Sequence, residues 1–114
     1  MRKINTVDLT GESGNTYTFE VYNINSNFSE VGCVYIYTKI GDNGYWQCIY
    51  IGQTKHLATR LNQHAIGEDE SDICIQNSGA THLHVLLLKP ESSRIIVETD
   101  IRNNPDYYWS CNMQ

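Results

Sequence analysis

Apolar and polar residues alternate with a period of two over residues 4–9 and again over 17–22, where Phe19 and Val21 share a face. Gly11-Glu12-Ser13-Gly14-Asn15 between them reads as a turn. Residues 23–30, rich in Asn and Ser, predict a loop. Two runs dense in β-branched and aromatic side chains follow, at 33–40 and 46–51, joined at Asn43-Gly44, a strong hairpin signal. Beyond Gly52 the period lengthens to about 3.6. Leu57, Leu61 and Ala65 recur at four-residue steps and predict a helix over 55–65, with Thr54 placed as N-cap. Gly67 and the acidic Glu68-Asp69-Glu70-Ser71-Asp72 predict a solvated loop that leads into a short helix near 73–77. The apolar run 81–88 predicts a buried strand. Pro90 then opens a last helix over 91–103, with Glu91 in its first turn and Arg102 in its last, as the helix dipole favours. The tail NNPDYYWSCNMQ predicts an ordered coil, because its aromatic rings need surfaces to pack on.

Composition narrows the picture. A chain of 114 residues, 40% hydrophobic, supports one domain with one modest core. Eight tyrosines in an aromatic content of 11% exclude a disordered tail. No stretch approaches the roughly 20 apolar residues of a membrane span, and the N-terminus lacks a secretory apolar run, so a cytoplasmic protein with no membrane partner is expected. Cys33, Cys48, Cys74 and Cys111 lie far apart without a C-x-x-C pair, which predicts buried reduced thiols rather than a zinc site. The net charge of -5 lacks the basic excess of most nucleic-acid binders.

Hairpin register gives two tyrosines a common face. With Asp42-Asn43 at the turn, partner numbers sum to 85 and Tyr35 lies opposite Tyr50; with Asn43-Gly44 they sum to 87. Either register places Tyr35, Tyr37, Tyr50 and Gly52 on one side of the sheet, whereas a one-residue slip or a bulge separates them. Paired tyrosines are ordinary structural neighbours, but His56, Arg60 and His64 recur at four-residue steps on the helix that begins just past Gly52. In the last helix, Glu98 sits among Ile95, Ile96, Val97 and Ile101, where a carboxylate needs a cation or donors; Arg94 one turn back is one candidate, a metal ion another.

In this succession the chain resembles the GIY-YIG nuclease superfamily, its small stand-alone bacterial-type members most of all. Cys33-Val34-Tyr35 stands where that family has Gly-Ile-Tyr, Tyr50-Ile51-Gly52 matches the second motif, and Arg60 with His64 matches the arginine motif. Glu98 matches the metal-binding glutamate and Asn112 the terminal asparagine. The first glycine of the family is Cys33 here, with Gly32 one position earlier.

The resemblance implies an α+β fold, a three-stranded antiparallel core sheet flanked by about three helices. Residues 31–112 would form the catalytic core, and residues 1–30 a β-hairpin extension of one single domain, 1–114. It implies hydrolysis of a phosphodiester in nucleic acid, DNA more than RNA, with one Mg²⁺ or Mn²⁺ ion on Glu98. Arg60 and Lys55 would meet the phosphate, Tyr35 or Tyr50 would be the general base, and His64 would accept its proton. Gly52 and Asn112 would have structural roles. The acidic charge keeps a second expectation open, a catalytically silent binding module working through a protein partner or a homodimer.

Overall fold

Two hairpins of the same construction supply four of the five strands. In the computed structural model, which describes residues 3–112, β1 (Asn5–Thr10) turns into β2 (Thr16–Asn23) and β3 (Cys33–Ile40) turns into β4 (Trp46–Thr54). Each turn uses three residues, not two: Gly41 N donates to Tyr45 O, as Gly11 N does to Asn15 O. Gly14 and Gly44 close the turns at φ of 89° and 80°, a left-handed conformation that a side chain disfavours.

A three-residue turn puts the tip of the second hairpin in a frame where Thr38 faces Cys48 and Ile40 faces Trp46, which on its own would send Tyr35 and Tyr50 to opposite faces. An irregularity between Tyr37 and Thr38 skips Ile49 and restores the other frame, with Tyr37 opposite Tyr50 and Tyr35 opposite Gly52. The four residues therefore share one face as expected, through compensating departures from a simple hairpin. Tyr35 faces Gly52 directly rather than Tyr50.

The remaining elements are α1 (Leu57–Ile66), α2 (Glu70–Asn77), β5 (His82–Leu87) and α3 (Glu91–Arg102). The strands form one antiparallel sheet in the order β1-β2-β5-β3-β4. The three-stranded part is thus β5-β3-β4, and the N-terminal hairpin extends it by pairing β2 with β5. One face buries Tyr35, Tyr37, Ile49, Leu83 and Val85 with Leu57 of α1 and Ile75 of α2. The other buries Phe19, Val34, Ile36 and Ile51 under Val97 and Ile101 of α3, with Tyr107 and Trp109 of the tail against them. Alternation along the strands divides the side chains between the two cores, and each fully buried aliphatic contributes about 1.5–3 kcal/mol.

Several local expectations are corrected. β4 runs on to Thr54, so α1 begins at Leu57; Thr54 Oγ1 accepts from His56 N outside the helix, and the N-cap is His56, whose side chain makes no capping bond. The Glu30 carboxylate takes the Thr59 amide and hydroxyl in the first turn instead. The acidic run is a solvated loop only at Glu68 and Asp69: Asp69 caps α2 by accepting from Asp72 N at 3.0 Å, and the helix starts at Glu70 rather than near 73. Arg94 does not pair with Glu98; it points inward and donates to Gln53 Oε1 and to the carbonyls of Leu88 and Lys89. Cys74 and Cys111 are not reduced thiols but a disulfide, because the returning tail, where Cys111 N donates to Ile49 O, carries Cys111 to α2 with the Cα atoms 5.5 Å apart. Cys33 and Cys48 remain free. Met113 and Gln114, the end of the expected coil, and Met1 and Arg2 at the N-terminus lie outside the described residues. Among the described residues no helix is long and apolar enough to cross a membrane.

Candidate active site

Three elements converge on the tyrosine face. β3 presents Tyr35, β4 presents Tyr50 and Gly52, and α1 lies across them with Arg60 and His64. The Tyr35 hydroxyl is bonded to His64 Nε2 at 2.7 Å, and the ring of Tyr50 stands edge-on to His64 with centroids 5.1 Å apart. Tyr35 is 1% exposed and His64 is buried, whereas Tyr50 and Arg60 are half-buried and reach the surface. Gly52 makes room for this arrangement, since a Cβ there would fall on the Tyr35 ring.

The far side of the imidazole meets a residue that the sequence reading assigned to solvent. Asp72, 7% exposed on α2, lies with Oδ1 2.8 Å from His64 Nδ1. A carboxylate only accepts, so Nδ1 carries the hydrogen; in the neutral ring Nε2 is then the acceptor, and Tyr35 donates to it. Burial lowers the His64 pKa and keeps the ring neutral, with Arg60 acting in the same direction and the Asp72 hydrogen bond opposing both. Burial raises Tyr35 and Tyr37 strongly, while the Arg60 guanidinium, close to the Tyr35 and Tyr50 hydroxyls, works the other way on Tyr35. The only sequence trace of Asp72 is its place three residues after the cap Asp69; its pairing with His64 has no periodic signature.

The remaining site residues lie elsewhere. Lys55 is exposed between β4 and α1. Asn112 brackets the Ile51 backbone on the outer edge of β4, with Oδ1 accepting from Ile51 N and Nδ2 donating to Ile51 O, each at 2.8 Å. Glu98 sits on α3, which packs against β4 and β3 on the face opposite the tyrosines. It is half-buried. Burial raises its carboxyl pKa and the charge of Arg102 opposes that. The structure therefore brings Tyr35, Tyr50, Gly52, Arg60 and His64 together, and holds Glu98 on the far side of the strand that carries Tyr50.

Two crystal structures share this architecture: tyrosine-to-phenylalanine point mutants of the GIY-YIG N-terminal endonuclease domain of UvrC from Thermotoga maritima, each bound to its catalytic divalent cation. They match with a TM-score of 0.60, at 24% and 26% identity, over 75% of this chain and 87% of theirs. By its fold this chain is a GIY-YIG superfamily member. No protein-family model and no curated protein matches the sequence.

Within the GIY-YIG frame, Cys33 at the start of the first motif is a packing residue, fully buried, with burial pushing its thiol up to about 12. Among the described residues no three His, Cys, Asp or Glu side chains converge as a metal cage. An ion held by Glu98 would rest on one hard carboxylate oxygen and water. That suits Mg²⁺, which keeps most of its hydration shell, and a half-buried carboxyl gains from a cation.

Proposed function

We propose that this GIY-YIG chain is a metal-dependent endonuclease acting on nucleic acid, DNA in preference to RNA. The observation that carries the proposal is the bond from the Tyr35 hydroxyl to a neutral His64, beside an arginine that reaches both phenols. Arg60, permanently charged and forked, binds the scissile phosphate, and Lys55, exposed in the connection from β4 to α1, adds a second positive charge. Tyr35 is the general base because its proton has an acceptor waiting: His64 takes it as the phenol oxygen takes one from the attacking water. Tyr50, nearer the surface, orients that water. Glu98 would hold one Mg²⁺ or Mn²⁺ ion, which when bound supplies Lewis-acid stabilisation to the phosphate and the departing 3′ oxygen. β4 is the edge strand, and a phosphate would have to reach both faces past the tail residues Cys111 and Asn112 that cover Ile49 and Ile51.

Incubation of the purified protein with Mg²⁺ and plasmid, single-stranded DNA or RNA tests this reading. Cleavage should be stopped by chelation, and Arg60→Ala or Glu98→Ala should slow it on the order of 10²-fold or more. Absence of cutting on every substrate, or variants as fast as the parent, would overturn it.

The net charge of -5 favours a second reading, a binding module that keeps the scaffold without turnover and works through a protein partner or a second copy. It predicts no nucleic-acid binding at low salt. The cytoplasmic setting expected from the sequence has the Cys74–Cys111 bond against it, since such bonds persist mainly in oxidising compartments.

A further inference from the structure

We infer that Asp72 is a positioning residue of this active site: through His64 Nδ1 it holds the imidazole with Nε2 bare and turned toward the Tyr35 hydroxyl. The inference rests on the nuclease reading, and Asp72 belongs to none of the motifs that carry the family resemblance.

The surroundings of Asp72 are built to deliver its carboxylate. Asp69 accepts from the Asp72 amide and fixes the first turn of α2. Gly67, in the connection from α1, leaves a gap that the carboxylate fills: a Cβ on Gly67 would stand 1.8 Å from Asp72 Oδ2. Gln76 donates from Nε2 to the carbonyls of both His64 and Gly67 at 2.9 Å, tying the end of α1 to α2. The result is a continuous line of hydrogen bonds, Asp72 to His64 to Tyr35, with links of 2.8 and 2.7 Å.

A buried His-Asp pair is often only a brace between helices. A brace, however, is complete at Nδ1, whereas this one continues from the opposite nitrogen into the tyrosine cluster.

As the water oxygen bonds to phosphorus, its proton passes to the Tyr35 oxygen while the Tyr35 proton passes to His64 Nε2, so no free phenolate stands in the buried site. The imidazolium keeps both hydrogens, its charge resting against the Asp72 carboxylate. As the bond from phosphorus to the 3′ oxygen breaks, the 3′ oxygen takes a proton from solvent, and His64 returns its own to solvent. Without the carboxylate the ring is free to hold its hydrogen on Nε2, the wrong nitrogen for accepting.

Asp72→Asn in the full chain tests the role by two independent readouts. Nitrogen-15 NMR of the imidazole should show the hydrogen on Nδ1 in the parent and on Asp72→Glu, and an added or dominant Nε2–H form in Asp72→Asn. Mg²⁺-dependent plasmid cleavage should fall on the order of 10²–10⁴-fold in Asp72→Asn, mainly in kcat, with recovery in Asp72→Glu. An Nε2–H ring in the parent would overturn the role, as would Asp72→Asn with the parent's tautomer and a rate within twofold. So would a loss that only tracks the unfolded fraction in thermal melts. If the parent cuts nothing, the nuclease reading fails by itself; the parent's tautomer and its change in Asp72→Asn still decide whether Asp72 sets the ring.

Discussion

The ring of Tyr35 lies across Gly52, and a Cβ at Gly52 would stand 2.6 Å from the Tyr35 hydroxyl oxygen and 3.0 Å from the Tyr50 ring. Neither contact is a flexible chain end that moves away without cost. Gly52→Ala should therefore displace the phenol from His64, costing about 1–3 kcal/mol as overpacking does, and lowering cleavage more than tenfold. A melting curve and a cleavage time course on the same preparation check both.

Tyr35→Phe and Tyr50→Phe should separate stability from activity. Phe at 35 leaves buried His64 Nε2 without its donor, a loss of about 1–3 kcal/mol in denaturant unfolding together with loss of cleavage. Phe at 50, half-buried, should leave stability within about 0.5 kcal/mol of the parent and still lower the cleavage rate. Unchanged activity in both variants would reduce the tyrosines to core residues.

Glu98 links pH, stability and metal. Burial raises its carboxyl pKa, with Arg102 opposing, so the protonated form is favoured in the folded state. Its contribution to stability is full below the unfolded-state value of 4.5 and is lost as pH climbs through the raised folded value. Glu98→Gln should thus melt higher than the parent at pH 7, with the two curves converging below pH 4.5. Added Mg²⁺ should raise the Tm of the parent and leave that of the variant where it is.

Reduction of Cys74–Cys111 opens a loop with a sequence separation of 37 and should cost roughly 3–4 kcal/mol. The tail then loses its anchor on α2. Hydrogen exchange at the Ile51 amide, which Asn112 accepts, should accelerate under reductant, and a Cys74→Ser/Cys111→Ser variant should show the same rate without it.

What was legible in the sequence is what repeats locally. Strand alternation and the Asn43-Gly44 signal mark β1 to β4, the four-residue steps of Leu57, Leu61 and Ala65 mark α1, and the apolar run 81–88 and Pro90 mark β5 and the start of α3, each within a dozen positions, whereas α2 was legible only from residue 73. The shared face of Tyr35 and Tyr50 was legible although the turn was longer than expected, because the skipped Ile49 offsets the third turn residue. Asp72 and the Cys74–Cys111 bond were not legible. Both depend on where α2 lands after the chain doubles back, a property of tertiary packing rather than of spacing. The distance between Glu98 and the tyrosines was equally hidden, since residue order says nothing about which side of a sheet a helix covers.

Asn112 has a consequence for how copies of this chain meet. Its amide reproduces the donor and acceptor of a neighbouring strand at Ile51, and Cys111 occupies the Ile49 carbonyl next to it. The middle of that rim is therefore already saturated from within the molecule, and edge-to-edge growth of the sheet is blocked there. Any self-assembly by strand addition is left to β1 at the opposite margin, away from the phenols.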